Sequence, residues 1–279
     1  MSRSLQLGTR SMWLIGAAAA NLLLVACGGG GSGYGSGVNN PPPPASANVQ
    51  LASKAALGSY LVDGNGRTLY YFGLDLPGTS AQAPVSNCAA AGGCIGLWPI
   101  FHADNLSVGT GLNASDFGEL DRQDGAKQTT YKGWPLYYYA GDSRQGDTNG
   151  DNFETWYVLR DPFYALLVME KTATSPSYLA DAQGRAVYTN ANDVVGSGAA
   201  DPVSACTGAC LNTWSIFVAS GTAIPTGVNG QITTFTRPDG MQQSALGGHP
   251  LYYFSGDSAP GQTNGQGLQG VWATGNPSL

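Results

Sequence analysis

The sequence predicts an all-β protein made of two tandem, pseudo-equivalent β domains. Three observations lead there. The chain is written twice: Tyr60-Leu-Val-Asp-Gly-Asn-Gly-Arg67 recurs as Tyr178-Leu-Ala-Asp-Ala-Gln-Gly-Arg185, Trp98-Pro-Ile-Phe101 as Trp214-Ser-Ile-Phe217, and Trp134-Pro-Leu-Tyr-Tyr138 as His249-Pro-Leu-Tyr-Tyr253. Glycine- and aspartate-rich turn signals return roughly every 8–12 residues, the spacing of a meander, a sandwich or a small barrel. No segment after residue 50 sustains an apolar 3.6-residue period, so helices are few. A composition of 41 Gly and 14 Tyr with only 11% charged residues suits an extracytoplasmic β protein with tight turns.

The chain begins with an export signal, residues 1–26. Arg3 and Arg10 supply the positive region, and Met12 to Val25 an apolar stretch too short for a convincing membrane span. It ends Leu24-Val25-Ala26-Cys27, which resembles the lipobox of bacterial lipoproteins. That resemblance implies cleavage before Cys27 and lipidation of it, a stable membrane anchor through several acyl chains. Gly28 after the cysteine points to the outer membrane in a Gram-negative cell. Residues 27–50 follow as a tether, Gly/Ser-rich and then Pro41 to Pro44: a flexible coil leading into a stiff spacer, with nothing to bury. Loss of residues 1–26 removes two arginines and no acid, so the net charge moves from −6 to −8. An acidic chain without a Lys/Arg cluster speaks against nucleic acid as a partner.

Repeat A is read as residues 51–160, a connector as 161–175 and repeat B as 176–279. Each repeat opens on a hairpin, with Asp63-Gly-Asn-Gly66 as its turn in repeat A. Asp124-Gly125 and Asp239-Gly240 are second turns, since Asp-Gly readily supplies the positive φ that a tight hairpin needs. Lys132-Gly133 and Gly247-Gly248 are third turns, ahead of the Pro-Leu-Tyr-Tyr strands. Phe163 to Met169, in the connector, is an apolar run without a counterpart in the other copy, read as a bridging strand or short helix.

A finer repeat lies inside the first. Tyr70-x4-Asp75, Tyr137-x4-Asp142, Tyr188-x4-Asp193 and Tyr252-x4-Asp257 are four copies of one motif. They are flanked by Asp-x-x-Gly-Arg, by a Cys pair ahead of a Trp, and by Arg-x-Asp-Gly-x-x-Gln. With these features residues 59–275 resemble the bacterial lipoproteins that carry a tandem secreted repeat with a Tyr-x4-Asp signature. The resemblance implies export and a repeated fold, and brings no biochemical function with it. The four motifs make a four-unit β toroid the alternative architecture. In Tyr188-Thr-Asn-Ala-Asn-Asp193 the aromatic strand has turned polar, so one unit is expected to be degenerate.

Residues five apart on a strand face opposite ways, so the Tyr and Asp of one motif meet only if the strand ends between them. Two readings of the four aspartates follow. They form turns by accepting backbone N–H groups while the tyrosines pack, or they line a ligand or cation site. Cys88/Cys94 and Cys206/Cys210 are an even set in an exported chain and read as disulfides. Their different spacings, x5 and x3, suit loop closure better than a metal or redox site. Asp147-Thr-Asn149-Gly-Asp151 resembles the start of a calcium loop, with Asn152 where Gly belongs and Val158 where an acid belongs. Calcium is the one cofactor these residues raise. His102 corresponds to Val218 and His249 to Trp134, so no histidine chemistry is common to both copies. Gly141-Asp142-Ser143 lacks the rest of a hydrolase nucleophile turn. The aromatics of Trp134 to Tyr139 are read as core on one strand face, with a stacking platform as the alternative for the other.

Nothing duplicated supplies a base, a nucleophile or a cofactor cradle, so no enzyme is expected. The sequence reads as a lipid-anchored binding or structural module of the cell envelope, with an unidentified envelope or cell-surface partner. The alternative is an envelope redox or metal-handling accessory that uses the paired cysteines.

Overall fold

The computed structural model describes residues 48–173 and 175–279. The signal segment, Cys27 and most of the tether lie outside the described residues.

Repeat A forms β1 (Val49–Lys54), β2 (Gly58–Asp63), β3 (Tyr70–Phe72), the short helix α1 (Cys94–Leu97), β4 (Phe117–Asp121), β5 (Lys127–Tyr131), β6 (Trp134–Pro135) and β7 (Trp156–Val158). There follow β8 (Leu167–Met169), β9 (Tyr178–Ala180), β10 (Tyr188–Asn190), β11 (Trp214–Ile216), β12 (Ile232–Thr236), β13 (Gln242–Leu246), β14 (His249–Pro250), β15 (Tyr252–Phe254) and β16 (Trp272–Thr274). The strands pair antiparallel in small sheets: β1-β2, β3-β7, β4-β5-β6, β8-β9, β12-β13-β14 and β11-β15-β10-β16. The protein is thus mostly β, with almost no helix. The second and third turns sit where their dipeptides place them. Asp124-Gly125 joins β4 to β5 and Asp239-Gly240 joins β12 to β13, with Gly125 at φ 84° and Gly240 at φ 83°.

Each repeat closes its strands in a ring of three backbone hydrogen bonds. The Leu61 N–H donates to Leu159 O (2.8 Å), Leu159 to Leu69 (2.9 Å) and Leu69 to Leu61 (3.0 Å). In repeat B, Leu179 donates to Gly275 (2.8 Å), Gly275 to Val187 (2.7 Å) and Val187 to Leu179 (3.0 Å). Every donor and acceptor in the ring is satisfied by another member, which lets the leucines and valines carrying them be buried without loss.

The run Phe163–Met169 does have a counterpart. β8 pairs with β9 as Val168↔Leu179 and Met169↔Tyr178, the register in which β1 pairs with β2 as Leu51↔Leu61 and Ala52↔Tyr60. Ala165 donates to Ala223 O (2.8 Å) as Asn48 donates to Ser107 O (3.1 Å). The first strand of repeat B therefore lies inside the stretch read as a connector. Its sequence differs from β1 because its surroundings differ: all of β8 is buried, whereas β1 is half-buried and exposed along much of its length. The Val168 N–H points at the Tyr71 hydroxyl (3.4 Å) and Glu170 N donates to Gly73 O (2.9 Å), so β8 fills the space beside β3 of repeat A. One apolar core accordingly runs through both repeats, from Val49 and Tyr71 through Tyr164 and Leu167 to Tyr188 and Trp272.

Candidate functional site

The four Tyr-x4-Asp motifs are joined crosswise. Phe72 O accepts from the Asp75 N–H (3.0 Å) and Tyr139 O from Asp142 (3.2 Å), so a tight turn separates the Tyr and Asp of each motif. The hydroxyl of each tyrosine then reaches the aspartate of the sister motif. Tyr70 donates to Asp142 Oδ2 at 2.6 Å and Tyr137 to Asp75 Oδ2 at 2.7 Å. Repeat B repeats the exchange, Tyr188 to Asp257 Oδ2 at 2.5 Å and Tyr252 to Asp193 Oδ1 at 3.0 Å. The motifs thus work as two reciprocal pairs, one in each repeat. The unit whose strand turned polar keeps both bonds and is not degenerate. What has changed lies between the two: Thr189, Asn190, Ala191 and Asn192 stand where repeat A has Tyr71, Phe72, Gly73 and Leu74.

Each aspartate also accepts one distant backbone N–H: Asp75 from Asn87 (2.7 Å), Asp193 from Ala205 (2.7 Å), Asp142 from Asn149 (2.9 Å) and Asp257 from Asn264 (2.9 Å). These donors lie seven or twelve residues on, so the carboxylates close whole loops and not only a local Asx turn. Burial raises the Asp142 and Asp193 pKa values, and Asp75, fully enclosed, is pushed up to about 7 even though Asn87, Tyr137 and the charge of Arg122 pull it down. Burial and the neighbouring carboxylate drive the Tyr137 hydroxyl far above its ordinary range, so it stays a donor.

Between each pair of tyrosines stand two stacked tryptophans. Trp98 and Trp156 lie 3.9 Å apart at 2°, and Trp214 and Trp272 3.7 Å apart at 6°. Tyr70 meets Trp98 edge-on (5.5 Å) and Tyr137 meets Trp156 edge-on (5.0 Å), with Tyr188–Trp214 and Tyr252–Trp272 at 5.3 and 5.1 Å. The edge-on contacts suit the ring quadrupoles, about 0.5–1.5 kcal/mol per pair beyond burial. The aromatics around Trp134 to Tyr137 are buried, and Tyr138 and Tyr139 are half-buried. Tyr138 donates to Asp63 Oδ2 (2.9 Å) beneath the Arg67 guanidinium, 3.9 Å from its ring centre. Tyr253, Asp181 and Arg185 repeat this at 2.8 and 4.1 Å. The Asp-x-x-Gly-Arg element is thereby explained. Asp63 Oδ1 caps the turn by accepting from Asn65 (2.8 Å) and Arg67 (2.9 Å), while Oδ2 takes the tyrosine.

The arginine of Arg-x-Asp-Gly-x-x-Gln was not singled out as a site residue, although its duplication was the signal. Arg237 is 2% exposed and donates to Gln243 Oε1 (2.6 Å), Cys206 O (2.8 Å) and Asp239 Oδ2 (3.1 Å). Arg122 binds Gln128 Oε1 (2.7 Å), Cys88 O (2.7 Å) and Asp124 Oδ2 (3.0 Å), and also Ser86 Oγ (2.6 Å). Each arginine ties the Asp-Gly hairpin to the start of a disulfide loop, closed by Cys88–Cys94 in repeat A and Cys206–Cys210 in repeat B. That loop delivers Trp98 or Trp214 to its stack.

Asp147, Asn149 and Asp151 are spent separately. Asp147 Oδ2 accepts from Ser143 (3.0 Å) and Arg144 (2.9 Å), and Asn149 donates to Asp142 and Gly141. Asp151 accepts from Val158 (3.0 Å) and Thr226 (2.6 Å). Among the described residues, no group of three or more His, Cys, Asp or Glu side chains is placed to hold a metal ion.

The chain matches no curated protein and no solved structure. A family model for a lipoprotein domain, described as a secreted repeat of unknown function, matches residues 119–160 and 233–274. Each match runs from the Arg-x-Asp-Gly hairpin, through the second Tyr-x4-Asp motif, to the second stacked tryptophan. Residues 119–160 and 233–274 are thus each similar to a secreted lipoprotein repeat of unknown function.

Proposed function

We propose that the protein is an exported, lipid-anchored and non-catalytic module that binds within the cell envelope or braces it, held off the membrane by the tether of residues 27–50. One observation carries the reading. The polar side chains shared by both repeats are consumed in holding the chain to itself: the crossed Tyr–Asp bonds, the Tyr138 and Tyr253 anchors, and the buried Arg–Gln–carbonyl clusters. A catalytic group must be free to meet a substrate, and these are not. The same observation speaks against redox cycling of the cysteines. Cys88 and Cys206 are buried, and their carbonyls are the acceptors of Arg122 and Arg237.

Two measurements test this. Cell fractionation of wild type and Cys27→Ser should find the first with membranes and the second soluble. The soluble Cys27→Ser protein, sedimented with isolated cell walls and with outer-membrane fragments, should bind one of them saturably. Absence of binding to either, or a wild-type protein already soluble after export, would remove the proposal.

A further inference from the structure

We propose that a second copy of this chain docks head to tail on the valine edge of repeat B, reusing the contact by which repeat B already covers repeat A. In repeat A, Leu76 and Val85 exchange backbone hydrogen bonds (3.0 and 2.9 Å) to form an edge, continued by Pro77. Two glycine turns of repeat B lie on that edge. They are joined by Gly261 N–H to Gly184 O (3.1 Å). A Cβ at Gly184 would stand 2.8 Å from Pro77 Cγ, and one at Gly261 2.7 Å from Leu76 Cδ2, so only glycine admits this approach. Alongside, the Trp134 indole N–H donates to Ala182 O at 3.0 Å. Pro77 is buried and Leu76 half-buried as a result.

Repeat B has the same edge, uncovered among the described residues. Val194 and Val203 exchange the same two hydrogen bonds (2.9 and 3.0 Å), and Val194, Val195 and Val203 are 59%, 47% and 49% exposed. Repeat A, in turn, has the same turns with only residues of its own repeat nearest them among the described residues: a Cβ at Gly66 would stand 3.1 Å from Gln145 Cγ, and one at Gly146 3.4 Å from the Tyr60 hydroxyl. Gly146 N–H donates to Gly66 O (3.0 Å), both glycines have positive φ (75° and 79°), and Gln145 beside them is exposed. Among the described residues the chain thus carries an uncovered apolar edge and a glycine turn packed only by its own repeat, the two kinds of face that meet between its repeats. A contact between unlike faces leaves one of each unsatisfied and builds rings or rows.

The contact between copies is smaller than the internal one. His249 stands where Trp134 would, and Thr189, Asn190 and Ala191 where Tyr71, Phe72 and Gly73 would. A Cβ at Gly73 would come 2.7 Å from Val168 O, so Ala191 excludes the seating of a strand like β8. What remains is the valine edge against the Gly66–Gln145 turn, enough for reversible self-association.

Two differently tagged full-length copies test it, one Val195→Cys and the other Gln145→Cys, co-expressed and run on non-reducing gels. Both positions are exposed, so the fold tolerates the changes, and a thermal melt checks this. The expected result is a disulfide-linked heterodimer. It should be absent from either variant alone and from the pair Lys127→Cys with Gln145→Cys, whose lysine is exposed on β5, outside the valine edge. No cross-link in the first mixture overturns the proposal. So does a Val195→Cys homodimer, which would mean that two valine edges meet face to face.

Discussion

The Tyr70 hydroxyl donates to Asp142 Oδ2 at 2.6 Å, across 72 residues of chain, while Asp75 of its own motif takes the hydroxyl of Tyr137. The exchange locks the two halves of a repeat together, and neither half can satisfy its buried polar groups alone.

Tyr70→Phe and Asp142→Asn should therefore couple. A hydrogen bond to a charged acceptor contributes about 1.5–3 kcal/mol, and a double-mutant cycle by urea denaturation should return about that energy for this pair. The cycle of Tyr70→Phe with Asp75→Asn, within one motif, should be additive to about 0.5 kcal/mol. Coupling inside the motif and none across it would contradict the crossed arrangement.

Asp75 should make stability fall as pH rises. Its pKa of about 7 in the folded protein lies above that of an unfolded Asp, roughly 3.9, because burial disfavours the charge. Its contribution is fully present below pH 4 or so and is lost as pH rises through about 7. Unfolding free energies of wild type and Asp75→Asn, measured from pH 4 to 8, should show wild type losing ground to the variant across that window. A constant difference would show that Asp75 ionises alike in both states.

Arg237→Lys should destabilise by about 3 kcal/mol, since one ammonium cannot serve the Cys206 carbonyl, Gln243 and Asp239 in the planar fork that the guanidinium provides. Arg122→Lys should act alike in repeat A. Chemical denaturation checks both, and a loss under about 1 kcal/mol would mean that water or a rearrangement replaces the clamp.

Each disulfide should stabilise by about 2 kcal/mol, the modest value for a short closed loop. Cys88→Ser/Cys94→Ser and Cys206→Ser/Cys210→Ser should each lower the melting temperature and still fold. Non-reducing mass spectrometry with alkylation should find no free thiol among these four cysteines in the wild type.

The sequence by itself determined the repeat, the β class and the hairpin turns. Those are local or translational signals: an Asp-Gly pair sets the backbone of a tight turn wherever it occurs, and a duplicated string is visible without any contact being known. The same duplication displayed Asp-x-x-Gly-Arg, Arg-x-Asp-Gly-x-x-Gln and Tyr-x4-Asp as elements of the fold. Only the tertiary structure decided what they do. Tyr70 reaches Asp142, and not Asp75, because the turn inside each motif carries its aspartate away from its tyrosine and toward the strand that pairs alongside. Arg237 is buried because the hairpin folds over the disulfide loop, a meeting of segments 31 residues apart that no local pattern encodes. β8 escaped recognition as a repeat strand because it is wedged between the repeats and has become apolar throughout, while β1 faces solvent along part of its length. The polar turn of Thr189 and Asn190 has the converse cause. Tyr71, the counterpart of Thr189 in repeat A, is covered by Tyr164 and β8, whereas Thr189 and Asn190 are half-buried and have no β8-like strand against them among the described residues.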